Sequence, residues 1–128
     1  MTEKKFSKHF YIHIAYLFYS LAMVDKKIEI DEKRKIVAIV ERSWLETIEN
    51  KEVIYETLRS LIKEKITSEE AFQKFKAFVI ANKEYFTNDT AKKIIKASHS
   101  ICEAFASKNK SELILLARIH KLLQTNEA

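Results

Sequence analysis

Asp25, Glu29, Asp31 and Glu32 crowd four carboxylates into eight residues. Hard divalent cations such as Ca²⁺ are held by oxygen clusters of this kind. The spacing is not that of an EF-hand loop, which needs an Asp or Asn at its third position, a glycine at its sixth and a bidentate Glu at its end. More simply, each acid has a local structural role, since Asp31 and Glu32 sit where a helix N-terminus favours negative charge and Asp25 satisfies free amides in the turn. Any metal held here is expected to bind weakly, because Lys26 and Lys27 offset two of the negative charges.

Two further pairs have ligand-like spacing. His9 and His13 stand one helical turn apart, and His99-x-x-Cys102 places an imidazole and a thiol within one turn. Neither pair has a third ligand nearby in sequence, and partly buried histidines bonded to carbonyls or tyrosines are the ordinary alternative. No glycine-rich phosphate loop or nucleophile elbow can be built, because the chain contains no glycine. The expectation is a non-enzyme that requires no cofactor, with weak Ca²⁺ or another divalent cation at Asp25, Glu29, Asp31 and Glu32 as the alternative.

The elements that carry these residues are helices. Phe10, Ile14, Leu17, Leu21 and Val24 recur at helical spacing, with aromatic residues on the flanking faces, so a helix from about Lys5 to Val24 is apolar nearly all round and must be covered on most sides. A second helix is expected from Asp31 to about Arg42 or Ser43, with Ile36, Ile39 and Val40 on one face and Trp44-Leu45 plugging one end of the core. A third should run from about Lys51 to Lys65, burying Val53, Ile54, Leu58, Leu61 and Ile62. Thr67-Ser68-Glu69-Glu70 has capping-box spacing and starts a fourth helix that reaches about Lys83 through Ala71, Phe72, Phe75, Phe78 and Val79. Tyr85-Phe86 marks a break. A long helix from about Asp89 to Ser107 then presents Ala91, Ile94, Ile95, Ser98, Ile101, Cys102 and Phe105. Asn109-Lys110-Ser111-Glu112 announces the last helix, with Leu113, Leu116, Ala117, Ile119, Leu122 and Leu123 as its apolar face.

Composition points the same way. The 128 residues contain neither glycine nor proline, which removes the residues that hairpins and barrel corners depend on. An all-α, single-domain bundle of about six or seven helices spanning residues 1–128 is expected, with a weak internal repeat in which Leu17 to Val40 and His99 to Leu123 each give helix, charged turn, helix. The lone Cys102 allows no internal disulfide and makes the cytoplasm the default location. The basic and apolar opening superficially resembles a signal peptide, but His9, His13, Tyr11, Tyr16 and Tyr19 interrupt it, so neither secretion nor membrane insertion is expected. The net charge of +5 is modest. Its clusters, Lys33-Arg34-Lys35 and Lys92-Lys93 with Lys96, read as solvated faces rather than a nucleic-acid stripe.

The first turn, Leu21-Ala22-Met23-Val24-Asp25-Lys26-Lys27-Ile28-Glu29-Ile30-Asp31-Glu32, resembles that of the tellurite-resistance TerB-like family, whose pattern is Ala-Asp-Gly-x-apolar-x-x-x-Glu. Val24, Asp25, Ile28 and Glu32 take the places of the Ala, Asp, apolar residue and Glu, and Lys26 stands where the family has glycine. A related domain forms the N-terminal cytoplasmic part of the DjlA co-chaperone. The resemblance implies an all-helical bundle with a pseudo-repeat, an association with stress responses and, in some members, divalent metal at the acidic turns. The second turn of this chain has Ser107, Lys108, Asn109 and Lys110 where carboxylates would be wanted. The expected function is therefore that of a TerB-like interaction module acting through protein–protein contacts. Tyr11, Tyr16 and Tyr19 cannot all point into the seam of Phe10 and Leu17, so some pack against other helices or lie at a surface, and those at a surface are candidate contact residues; the partner is a protein that the sequence leaves unnamed, and a homodimer stays open.

Overall fold

The computed structural model describes residues 8–24, 38, 48–105 and 110–123. Among them are five α-helices: α1 (Lys8–Met23), α2 (Ile48–Lys63), α3 (Ser68–Ala81), α4 (Asn88–Phe105) and α5 (Lys110–Leu123). A short 3₁₀ turn, Lys83–Tyr85, separates α3 from α4, and no strand occurs among the described residues. Five helices is slightly fewer than the six or seven expected. Of the helix anticipated at 31–43 only Ala38 is described, and it is helical; the rest of that helix, the Trp44-Leu45 plug and otherwise the first half of the internal repeat beyond Val24 lie outside the described residues. No described helix is long and apolar enough to cross a membrane.

The opening helix is the centre of the core, as its apolar circumference requires. Phe10, Tyr11, Ile14, Ala15, Leu17, Phe18, Tyr19, Leu21 and Ala22 are all buried. Among the described α-helices α1 packs most extensively on α3 and α2, then on α4, and least on α5. Its principal neighbours among the described helices are therefore α3 and α2. Ile101 is buried as expected; Ile36, Val40 and the Phe105 side chain lie outside the described residues.

Hydrogen bonds fix the register of these contacts. The Tyr19 hydroxyl donates to the Ile66 carbonyl at 2.7 Å and lies 3.3 Å from that of Leu61, tying α1 to the end of α2. Ser68 Oγ, in the first turn of α3, donates to the Ser20 carbonyl at 2.7 Å. Burial, followed by the charge of Glu70, raises the Tyr19 phenol above its ordinary pKa, so the ring serves as a neutral donor. Of the three tyrosines that would be contact candidates if they lay at a surface, Tyr11 and Tyr19 are covered and Tyr16 is half-buried. An aromatic side chain with one polar atom can be buried at little cost when that atom finds a carbonyl.

Two helix ends show how a glycine-free chain manages its turns. After α2, Lys65 N–H donates to the Ile62 carbonyl at 3.1 Å and Ile66 N–H to the Leu61 carbonyl at 3.2 Å, the paired bonds of a Schellman motif. Lys65 holds the left-handed position at φ 56°, where glycine has no Cβ to clash. At the start of α3 the expected capping box is complete: Glu70 N–H donates to Thr67 Oγ1 at 3.0 Å, and Thr67 N–H donates to Glu70 Oε1 at 3.0 Å.

The register of α5 differs from expectation. Leu115, Leu116, Ile119 and Leu123 are buried together with Glu112, whereas Leu113 is 51% exposed and Ala117 also faces outward. Residues 112, 115, 116, 119 and 123 form one continuous helical stripe, and 113 and 117 lie a quarter-turn away from it. With five leucines and two isoleucines in this helix, the apolar pattern alone does not single out that stripe.

Candidate functional site: a basic cleft between α3 and α5

Side chains of α3 and α5 face each other across a cleft of about 310 Å³ lined by Phe72, Lys76, Arg118, Lys121 and Leu122. Phe72 and Leu122 provide apolar surface and the other three are cations. Phe72 and Lys76 are four residues apart on α3, and Arg118 stands three and four residues before Lys121 and Leu122 on α5, so each wall is one face of its helix. Both faces continue in exposed apolar residues: Ile80, 55% exposed, lies one turn beyond Lys76, and Ile114, 53% exposed, one turn before Arg118.

Arg118 is held in place by two interactions. Its guanidinium carbon lies 4.3 Å from the centroid of the Phe72 ring. Its Nη1 and Nη2 donate to Glu69 Oε1 and Oε2 at 2.8 and 2.9 Å, a fork-to-fork pair that bridges α5 to α3. Gln73 Nε2 donates to the same carboxylate at 2.6 Å. Hydrogen bonds from Arg118 first and Gln73 second hold the Glu69 carboxyl at about 2, and the carboxylate in turn raises the Arg118 pKa. Lys76 and Lys121 have no ion pair among the described residues, although Lys76 adds to the positive field at Glu69.

A second, open cleft of about 370 Å³ lies between α1 and α2, lined by Ile12, Tyr16, Glu56, Thr57, Ser60, Leu61 and Glu64. Its charged side chains are carboxylates. Thr57 Oγ1 is already committed to the Val53 carbonyl at 2.8 Å, and Glu56 lies 3.9 Å from Arg59.

The residues singled out in the sequence fare differently. Asp25, Glu29, Asp31 and Glu32 lie outside the described residues. His13 is turned inward: its Nδ1 is 2.7 Å from the His9 carbonyl and its ring stacks on Phe78 at 4.2 Å. Burial, above all, lowers its pKa below the usual 6.5, aided by the charges of His9 and Lys74 and opposed by the bond to the His9 carbonyl. Cys102 is fully buried, where a thiol behaves as a small apolar group. His99 meets His120 of α5, Nε2 to Nε2 at 3.3 Å, with ring centroids 5.6 Å apart. The centroid separation exceeds the nitrogen separation by about two ring radii, so the nitrogens face each other head-on and one must donate to the other. Among the described residues no group of three or more His, Cys, Asp or Glu side chains could hold a metal ion.

Comparison with protein-family models, curated proteins and solved structures found no match for this chain. The basic cleft is also invisible to sequence reading. Lys76 is separated from Arg118 and Lys121 by more than forty residues, and a charge cluster made by folding leaves no run along the chain. Lys92, Lys93 and Lys96, which do form a run, lie exposed on α4, with Lys93 3.7 Å from Asp89.

Proposed function

We propose that this chain is a helical interaction module that docks a partner protein in the cleft between α3 and α5, and that it works by association rather than catalysis. The observation that carries the reading is the fixed Arg118. Its guanidinium is braced by Phe72 on α3 and by both oxygens of Glu69, so the cleft is shaped before anything enters it. Preorganised cation and aromatic pairs of this kind suit association, because little side-chain freedom is lost on binding.

The chemistry of the cleft favours binding as well. The described residues that line it are cations and apolar groups, and the adjacent Glu69 has its carboxyl held at about 2, which makes it a weak base at neutral pH. The exposed Ile80 and Ile114 extend the surface beyond the cleft at either end, and isolated apolar residues that continue a groove add contact area to it. A TerB-like role in stress or tellurite resistance would be exercised through this contact.

Site-specific photocross-linking tests the reading. Benzoylphenylalanine in place of Lys121 is expected to capture a discrete cellular protein, and Lys76→Glu is expected to abolish the capture. The same probe in place of Lys63 on α2 should capture nothing that depends on Lys76. Capture from Lys63, or capture from Lys121 that Lys76→Glu leaves intact, would show that docking occurs elsewhere.

A further inference from the structure

We infer that the occupant of the α3–α5 cleft is an acidic protein segment in which an apolar side chain is flanked by carboxylates. The inference rests on the docking reading and specifies its partner. The cleft already holds a carboxylate: both Glu69 oxygens sit in the Arg118 fork at 2.8 and 2.9 Å, and that carboxyl is the ligand the guanidinium plane is built to take. Lys76 on one wall and Lys121 on the other have no ion pair among the described residues, so within that set both cations are unmatched. Leu122 lines the cleft beside them and offers apolar surface next to the nearly buried Phe72.

The dimensions fit a short segment. From Ile114 to Leu122 the α5 wall advances about 12 Å at the helical rise, enough to face two turns of helix or four residues of extended chain. A segment of that length can set one apolar residue on Leu122 and place acids within reach of both lysines. The net charge of +5 favours the encounter with such a segment.

Two other anionic partners fit less well. Single-stranded nucleic acid is held by bases stacking on exposed aromatic faces, but the Phe72 ring is 2% exposed and a guanidinium covers it. An anionic membrane draws on basic residues that project together from a convex face with apolar residues beneath them. Here Lys76 on α3 and Lys121 on α5 line opposite walls of a concavity that Phe72 and Leu122 also line.

An array of short synthetic peptides, each with one apolar residue flanked by Glu and Asp, tests the inference against the full chain by fluorescence anisotropy. The matched controls carry Gln and Asn in place of the acids; phosphatidylglycerol vesicles and a single-stranded oligonucleotide complete the set. Acidic peptides are expected to bind about ten-fold or more tightly than their amide counterparts, a difference of about 1.4 kcal/mol. Lys76→Glu with Lys121→Glu should abolish binding, and Lys92→Glu with Lys93→Glu on α4 should leave it unchanged. Equal binding of amide and acidic peptides, no binding by any acidic peptide, or binding that ignores the Lys76 and Lys121 changes would each overturn the inference. Vesicle or oligonucleotide binding lost in the Lys76/Lys121 variant, with no peptide binding, would replace it with a lipid or nucleic-acid partner. If the acidic peptides fail while cross-linking from position 121 remains sensitive to Lys76→Glu, only the acidic character of the partner is wrong. If that cross-link is insensitive to Lys76→Glu, the docking reading fails with it.

Discussion

Glu69→Gln and Arg118→Met, singly and together, measure whether the cleft is shaped in the free protein. Arg118→Met keeps much of the aliphatic stem but removes the fork to Glu69 and the cation over Phe72. A carboxyl held at about 2 would, taken at face value, mean about 3 kcal/mol of pairing. The Glu69 side chain, however, is 58% exposed and that of Arg118 38%, and solvent screening reduces exposed pairs to about 0.2–1 kcal/mol. A guanidinium on an aromatic ring adds about 0.5–1 kcal/mol at such a site. Arg118→Met should therefore cost about 1–2 kcal/mol in all, of which the cycle should assign about 0.5–1 kcal/mol to the Glu69 pair. Urea unfolding followed by circular dichroism at pH 7 supplies the four free energies, and repeating the series in 1 M salt should shrink the coupling. The sign with pH follows from the depressed carboxyl: the stabilisation is complete above the unfolded value of 4.5 and is lost as pH falls through about 2. A coupling below about 0.2 kcal/mol at low salt would mean that Arg118 is not held over the cleft.

Three further outcomes test the surrounding fold. Leu17, fully buried in α1, should cost about 2–5 kcal/mol when changed to Ala, and a loss under about 1 kcal/mol in chemical denaturation would contradict a central α1. Lys65→Gly should raise stability by up to about 1 kcal/mol, because the strain of a left-handed residue at φ 56° is relieved at the smaller expense of a more flexible unfolded chain; an unchanged urea midpoint would show no strain there. The lowered pKa of His13 means that the folded state disfavours its protonation. Its contribution to stability is intact above pH 6.5 and lost as pH falls from there through the lowered folded value. His13→Phe should flatten that part of the stability profile, and an identical slope in wild type and variant would place the titration elsewhere.

What was legible in the sequence was legible because local chemistry decides it. Thr67 and Glu70 form their capping box from neighbours three residues apart, and α1 is central because no face of it could be left in water. The inward turn of Tyr19 depended on partners far along the chain, the carbonyls of Leu61 and Ile66 more than forty residues away, which no local pattern announces. The register of α5 was misread because its dense leucines and isoleucines offer more than one apolar face. His99 was paired in sequence with Cys102, but folding sets it against His120 across two helices. The cleft follows the same rule: Glu69 and Arg118 are 49 residues apart, and only the approach of α3 to α5 makes a site of them.

Lysine reactivity reports on the docking surface directly. The chain, free and after incubation in an extract of its own cells, is acetylated for a short pulse, and each lysine is then quantified by mass spectrometry. Lys76 and Lys121 line the cleft, whereas Lys63, Lys92 and Lys93 are exposed on α2 and α4. Docking between α3 and α5 predicts protection of Lys76 and Lys121 in the extract with unchanged rates at Lys63, Lys92 and Lys93. Protection of those three lysines with Lys76 and Lys121 as reactive as in the free protein would contradict the account.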